Sequence, residues 1–175
     1  MPTVRLVLTG DSGTGKSSLF SRYHKGEFSR DIGETHGVSY QVTHVKIGVH
    51  GGSGSSSSSG GGNVTEAKES LIRLQLWDFA GKYRKFESMK KLLMDNEAHG
   101  IFLVMDVTRR STFESIADRI ADLRPQIAAD TLLMLSANKT EVFEEEWQVS
   151  RKEIWEFATK HNLVHACFKI YCFAY

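Results

Sequence analysis

The segment Gly10-Asp11-Ser12-Gly13-Thr14-Gly15-Lys16-Ser17 decides the fold of this 175-residue chain. Its spacing is Gly-x4-Gly-Lys-Ser, in which the glycines let backbone N–H groups turn inward around phosphate groups. The short apolar run 4–8 predicts a strand buried on both faces before the loop. The pattern 16–24 predicts an amphipathic helix after it, with an N-terminus that favours an anion. Strand, glycine-rich turn and helix together predict a loop that binds a nucleoside triphosphate.

Two side chains of this segment have predicted roles of their own. Lys16 would neutralise the β- and γ-phosphates, and Ser17 would give its hydroxyl to Mg²⁺. The alternative is a glycine-rich turn followed by Lys-Ser by chance, which rarely falls between a buried strand and an amphipathic helix. The residues predicted to bind nucleotide here are Asp11, Ser12, Gly13, Thr14, Gly15, Lys16, Ser17 and Ser18.

Composition excludes several other classes of protein. The formal net charge is +1 and the basic residues are scattered, which gives no support for a nucleic-acid partner. No apolar run approaches the roughly 20 residues of a membrane span, and the N-terminus lacks a signal-peptide pattern. Cys167 and Cys172 make neither a disulfide framework nor a zinc site. We therefore expect one cytoplasmic domain over residues 1–175.

The remaining hydropathy pattern predicts an α/β fold. Alternation over 38–49 and 71–77 predicts two half-exposed strands. Residues 51–62 between them are almost wholly Gly and Ser, which predicts a flexible insert at a hairpin tip, of natural or engineered origin. Strands alternating with helices favour an open, mostly parallel sheet with its site at the carboxyl ends of the strands. Further strands are predicted at 101–105, 132–135 and 164–170, and helices at 86–94, 112–123 and 145–160.

Two more motifs follow predicted strands. Within Trp77-Asp78-Phe79-Ala80-Gly81, Asp78 can hold a magnesium-bound water and Gly81 can bring its N–H to a γ-phosphate, although Asp-x-x-Gly alone is mostly a turn. Within Asn138-Lys139-Thr140-Glu141, the carboxylate of Glu141 can accept two hydrogen bonds from a guanine edge, and adenine offers no such donor pair. A plain polar loop is the alternative for this second motif.

The order of these motifs resembles the Ras superfamily of small GTPases, and the Rab-type members most closely. Leu74-Gln75-Leu76-Trp77-Asp78 and the stretch 105–113 are also similar to Rab sequences. The resemblance implies a P-loop NTPase fold with five parallel strands, one antiparallel edge strand and flanking helices. It implies a GTP/GDP switch with Mg²⁺, acting in vesicle traffic through effector, exchange and activating proteins. Peripheral membrane attachment would require a lipidated tail.

The resemblance also assigns roles to residues outside these motifs. Phe28 is similar to the aromatic that stacks on guanine, with an exposed or core aromatic as the alternative. Thr35 is similar to the threonine that binds Mg²⁺ and the γ-phosphate, with an ordinary loop threonine as the alternative. Phe168 and Lys169 fall where a guanine-binding loop belongs, although the match is poor and a simple last strand is the alternative. The implied metal ligands are Ser17, Thr35 and Asp78, and the implied catalytic residues are Lys16, Thr35, Gly81 and Lys82.

Departures from the family pattern modify these expectations. Lys82 replaces the glutamine that orients the attacking water, and a charged lysine accepts no hydrogen bond, so we expect slow intrinsic hydrolysis. Glu141 replaces an aspartate, which weakens the expected selectivity for guanine. Phe79 replaces a small polar residue expected beside the metal site, and Tyr83 replaces a glutamate.

The end of the chain is a further departure from the family pattern, and two rival functions stand beside the switch. The family's last helix is missing after Lys169, and Cys172-Phe173-Ala174-Tyr175 is a weak prenylation signal. One rival function is a hydrolysis-deficient scaffold held in the GTP-bound form, which Lys82 favours. The other rival is a P-loop kinase that uses ATP, for which no arginine-rich acceptor site is visible.

Overall fold

The computed structural model describes residues 1–25, 37–49, 68–81, 93 and 98–167. Short 3₁₀ turns at Arg124–Gln126 and Glu144–Glu146 lie between some of its strands and helices. The strands are β1 (Thr3–Thr9), β2 (Val38–Val49), β3 (Lys68–Phe79), β4 (Gly100–Asp106), β5 (Leu132–Asn138) and β6 (Val164–Cys167). The helices are α1 (Lys16–Lys25), α2 (Arg110–Leu123) and α3 (Arg151–Lys160).

The strands form one six-stranded sheet in the order β2-β3-β1-β4-β5-β6. Only β2 runs antiparallel to its neighbour, and every other pair is parallel. This confirms the predicted mostly parallel sheet with one antiparallel edge strand. Strand β1 is central, and Leu8 near its end pairs with Asp78 of β3 on one side and Phe102 of β4 on the other. The loop that follows β1 therefore emerges in the middle of the carboxyl edge, where sites in such sheets form.

Helices cover both faces of this sheet. Helix α2 buries Phe113, Ile116 and Ile120, whose spacing of three and four residues puts them on one helical face. These residues of α2 form the main hydrophobic core together with Ile154 and Ala158 of α3. A smaller cluster of Leu8, Leu76 and Val104 lies against Leu19 and Phe20 of α1. The central strands are consequently buried on both faces, as their apolar runs predict.

Two sequence predictions are wrong in detail. Helix α3 begins at Arg151 and not at residue 145, because Ser150 accepts a hydrogen bond from the Glu153 N–H and Glu153 binds back to the Ser150 N–H. This capping box fixes a helix start. The Phe79 side chain is not at the metal site: it is 1% exposed and belongs to the main core with Val7 and Ile101. The alternation of β3 points Phe79 away from the face that Asp78 uses.

Several predictions fall outside the described residues. These are the insert 51–62, most of the helix 86–94, the end of the strand 164–170 and the roles given to Tyr83 and Cys172. Among the helices of the described part of the chain, none is long and apolar enough to cross a bilayer.

Candidate nucleotide-binding site

The loop between β1 and α1 is closed by its own hydrogen bonds. The N–H of Thr14 lies 3.4 Å from the carbonyl oxygen of Asp11, and the Thr14 hydroxyl donates to the same oxygen at 3.0 Å. Gly15 has a φ of +91°, and a Cβ there would lie 2.2 Å from the Asn138 side-chain nitrogen. At Gly10, with φ of +150°, a Cβ would lie 2.2 Å from the Val104 carbonyl oxygen. Both positions need glycine, because a side chain would be strained and would also collide.

Lys16 places its amine inside this loop. The residue is 5% exposed, and its Nζ donates to the Asp11 carbonyl oxygen at 2.8 Å. Burial lowers the pKa of Lys16 from 10.5 to about 8, against the opposing attraction of Asp78, while the nearby cation Arg119 lowers it further. Among the described residues, no carboxylate forms an ion pair with this amine. A buried amine with a lowered pKa is an electrostatic site for an incoming anion.

Ser17 and Asp78 meet at the start of α1 and the end of β3. The Ser17 hydroxyl donates to Asp78 Oδ2 at 2.6 Å, and Asp78 is 1% exposed. A hydroxyl that donates its proton to a carboxylate can also contact a cation through its oxygen. Hydroxyl and carboxylate oxygens are the ligands that Mg²⁺ prefers, completed by water and phosphate. No group of three or more His, Cys, Asp or Glu side chains among the described residues is arranged to hold a metal ion. The Ser17 hydroxyl and the Asp78 carboxylate fit a magnesium whose other ligands are phosphate and water.

Gly81 lies directly on the phosphate-binding loop. A Cβ on Gly81 would be 2.3 Å from the Ser12 nitrogen and 2.6 Å from the Asp11 carbonyl carbon. These are backbone atoms, which have little freedom to move aside. The structure therefore brings Gly81 to the loop as the sequence predicts. Phe28, Thr35, Lys82, Phe168 and Lys169 lie outside the described residues, and their predicted roles stay predictions.

The second polar motif reaches the same loop from β5. The Asn138 side-chain nitrogen donates to the Thr14 carbonyl oxygen at 2.7 Å, and Asn138 is 7% exposed. Lys139 has a φ of +62° and binds Asp106 Oδ2 at 2.6 Å. Glu141 is exposed at the end of the motif. The loop predicted to bind the base is thus attached to the loop predicted to bind the phosphates.

Asp106 holds these two loops together, a role that the sequence patterns did not assign. Its side chain is fully buried and accepts from the Thr108 N–H at 3.0 Å, the Thr108 hydroxyl at 2.6 Å and Arg109 Nε at 3.1 Å. Burial acts to raise the pKa of Asp106, but hydrogen bonds from Lys139 and Thr108 outweigh it and keep the pKa below its ordinary value. Arg109 continues the network to the Ser12 carbonyl oxygen at 2.9 Å. The available signal was an acidic residue directly after the apolar run 101–105.

Arg119 is the second residue that pattern reasoning missed. It lies on α2 and is 5% exposed, and it binds Asp11 Oδ1 at 2.6 Å. Ser115, one turn earlier, donates to the other carboxylate oxygen of Asp11 at 2.7 Å. The signal was a basic residue on the apolar face formed by Ile116, Ile120 and Leu123. Such a residue requires a buried acceptor, and a sequence does not show which one.

The sheet, the glycine loop at the end of its central strand and the buried lysine define a P-loop nucleotide-binding domain. The model of the Ras family matches residues 5–168, and the chain belongs to that family. It is 32% identical over 160 residues to the Ras-related protein RABA1h of Arabidopsis thaliana, covering 90% of this chain and 62% of that protein.

Two further relatives show a similar extent of likeness. The GTP-binding protein ypt4 of Schizosaccharomyces pombe is 29% identical over 163 residues, covering 93% of this chain and 62% of that protein. The Ras-related protein Rab11D of Nicotiana tabacum is 31% identical over 161 residues, covering 91% and 61%. The chain therefore spans about three fifths of the length of these relatives.

Proposed function

We propose that this protein is a Rab-like GTP/GDP switch with bound Mg²⁺ and slow intrinsic GTP hydrolysis. The observation that carries the proposal is the joint placement of Lys16, Ser17 and Asp78 at the carboxyl edge of the sheet. Lys16 would bind the β- and γ-phosphates, and backbone N–H groups of residues 11–18 would complete the cradle. When bound, Mg²⁺ would neutralise charge on the phosphates.

Guanine as the base is supported by the attachment of the Asn138 motif to the loop. Because Asn138 donates to Thr14, the polar motif is attached to the loop that would bind the phosphates. Lys139 and Glu141 would contact the base, together with Phe28, Phe168 and Lys169. The longer glutamate at position 141 would relax selectivity between purines, since the geometry of paired hydrogen bonds sets discrimination.

Hydrolysis would proceed by attack of water on the γ-phosphate. Lys16 and the N–H of Gly81 would stabilise the developing charge, and Thr35 would bind both Mg²⁺ and the γ-phosphate. Lys82 would be a poor replacement for a glutamine that orients water, because its ammonium group only donates hydrogen bonds. The segments around Thr35 and from Asp78 to about residue 94 would order with GTP and relax with GDP.

The biological setting and partners follow from the Rab likeness. Effector, exchange and activating proteins would bind the two switch segments, and the site of action would be vesicle or organelle membranes reached from the cytoplasm. Lys82 itself favours a second function, in which the protein hydrolyses GTP hardly at all and serves as a GTP-bound scaffold for an effector.

One set of measurements tests the switch and separates it from the scaffold. The nucleotide retained after gentle purification is identified first, and guanine nucleotide is the expected result, whereas retained ATP would contradict the proposal. Single-turnover hydrolysis is then compared for the wild type, Lys82→Gln and the charge control Lys152→Gln, whose side chain is exposed on α3. We expect Lys82→Gln alone to hydrolyse faster.

The hydrolysis rates also decide between the switch and the scaffold. A wild-type rate as fast as that of Lys82→Gln would refute the slow-hydrolysis part and the scaffold together. No turnover by the wild type, even with a cell extract, would favour the scaffold.

A further inference from the structure

The buried cation Arg119 joins three separate segments around the phosphate-binding loop. Its guanidinium binds Asp11 Oδ1 at 2.6 Å, approaches Thr9 Oγ1 at 3.3 Å and lies 3.5 Å from the Gly81 carbonyl oxygen. The side chain is 6% exposed. Its Nε has no hydrogen-bond partner within the described part of the chain. An ion in this position is costly unless its contacts are well formed.

The three residues that contact Arg119 lie in parts of the chain with different predicted roles. Thr9 ends the central strand and Asp11 belongs to the phosphate-binding loop, which would serve GDP and GTP alike. Gly81 would meet only the γ-phosphate, which GDP lacks. Arg119 itself is fixed by α2, whose neighbouring residues Ile116 and Ile120 are buried in the main core.

We propose that Arg119 is a positioning residue that presets Gly81 for the γ-phosphate. This inference rests on the proposed binding of guanine nucleotide. One guanidinium nitrogen, Nη2, binds the Asp11 carboxylate and lies beside the Gly81 carbonyl oxygen, while Nη1 approaches Thr9, so the Gly81 peptide keeps one orientation against Ser12. A peptide oriented before binding loses less entropy when its N–H meets the phosphate. Arg119 therefore favours GTP over GDP without touching either nucleotide.

The geometry distinguishes this role from a plain buried ion pair. A plain pair with Asp11 would shape the loop for both nucleotides equally, whereas the contact with Gly81 adds an effect on GTP alone. Arg119→Lys keeps a cation beside Asp11, but its nitrogen ends one bond short of Nη2 and the second nitrogen is lost, so it cannot meet Asp11, Thr9 and Gly81 together. Ser115→Ala removes the hydrogen bond to the other carboxylate oxygen of Asp11 and changes no described contact of Gly81.

The test compares the affinities for GDP and for the slowly hydrolysed analogue GTPγS, measured by displacement of a fluorescent guanine nucleotide. Arg119→Lys is expected to bind GDP about as the wild type does and GTPγS about twofold to fivefold more weakly, the lower end of what one hydrogen bond contributes, because the contact with Gly81 is 3.5 Å long. Arg119→Met should weaken both and shift the ratio in the same direction. Ser115→Ala should change both affinities by one common factor.

A second readout needs no nucleotide. Amide hydrogen exchange at Gly81 in the nucleotide-free protein should be faster in Arg119→Lys, with exchange in β4 and β5 unchanged.

The outcomes are separable. If the wild type binds both nucleotides and the ratio is unchanged in Arg119→Lys, Arg119 is only structural and the inference is overturned. If the wild type binds neither, the proposed function itself fails. Should Arg119→Met not fold, Arg119→Lys decides alone, because it retains the buried charge.

Discussion

The bond from Asn138 to the Thr14 carbonyl oxygen is made within the protein, so its loss should reduce stability before any nucleotide is present. Thr14 is 0% exposed and the bond is 2.7 Å long. Asn138→Ala removes an ordinary hydrogen bond and leaves a buried carbonyl without that donor, at a combined cost of about 2 kcal/mol. For a chain of this size that loss corresponds to a fall in melting temperature of roughly 4–8 °C.

Asn138→Asp makes the same test more specific. An oxygen would replace the donating nitrogen and face the Thr14 carbonyl, so at neutral pH this variant should lose at least as much stability as the alanine variant. Burial and the opposing oxygen raise the pKa of the introduced carboxyl above its unfolded value. Its deficit should therefore shrink as the pH falls, because the protonated carboxyl can donate to Thr14.

The assay is equilibrium urea denaturation of the nucleotide-free protein, followed by circular dichroism. Gln126→Ala is the matched control, since Gln126 is half-buried and also donates a side-chain amide to a backbone carbonyl, that of Asp122, but this hydrogen bond is exposed. We expect a loss below about 0.5 kcal/mol for it. If Asn138→Ala were as stable as this control, the bond would be absent without nucleotide and the reasoning would be refuted.

Four further predictions concern stability. Gly10→Ala should destabilise the protein by about 3 kcal/mol, from strain at φ +150° and collision with the Val104 carbonyl, and normal melting would contradict this. Phe79→Ala should cost about 3–5 kcal/mol of unfolding free energy because the ring is in the core, whereas a ring beside the metal would cost little. Ser150→Ala should cost about 1 kcal/mol through the lost cap of α3. Hydrogen bonds from Ser150 and Arg110 lower the pKa of Glu153 from 4.5 to about 2. The contribution of the Glu153 carboxylate to the free energy of unfolding should therefore be constant above pH 4.5 and decline toward pH 2. Denaturation against pH should show that decline flattened in Glu153→Gln.

The glycine loop and the hydropathy pattern determined the class of fold. Apolar runs of strand length bounded by polar residues predicted β1, β4 and β5. The predicted bounds agree within one residue except at the end of β5, because a strand buried on both faces is apolar along nearly its whole length. The Gly-x4-Gly-Lys-Ser spacing is local, so Lys16 and Ser17 were identified without tertiary information. The start of α3 was misplaced because the 3₁₀ turn at Glu144–Glu146 continues a helix-like pattern.

Tertiary structure alone decided which side chains support the site. Arg119 and Asp11 are 108 residues apart in the chain, and Asn138 and Thr14 are 124 apart. No periodicity encodes such pairs, since they arise when parallel strands bring their carboxyl ends to one edge of the sheet. The burial of Phe79 was also decided there, because its face depends on the pairing of β3 with β1 and β2. The loop at Gly10–Ser17 could be read from its residues, whereas the residues that hold it in place could be found only in the folded chain.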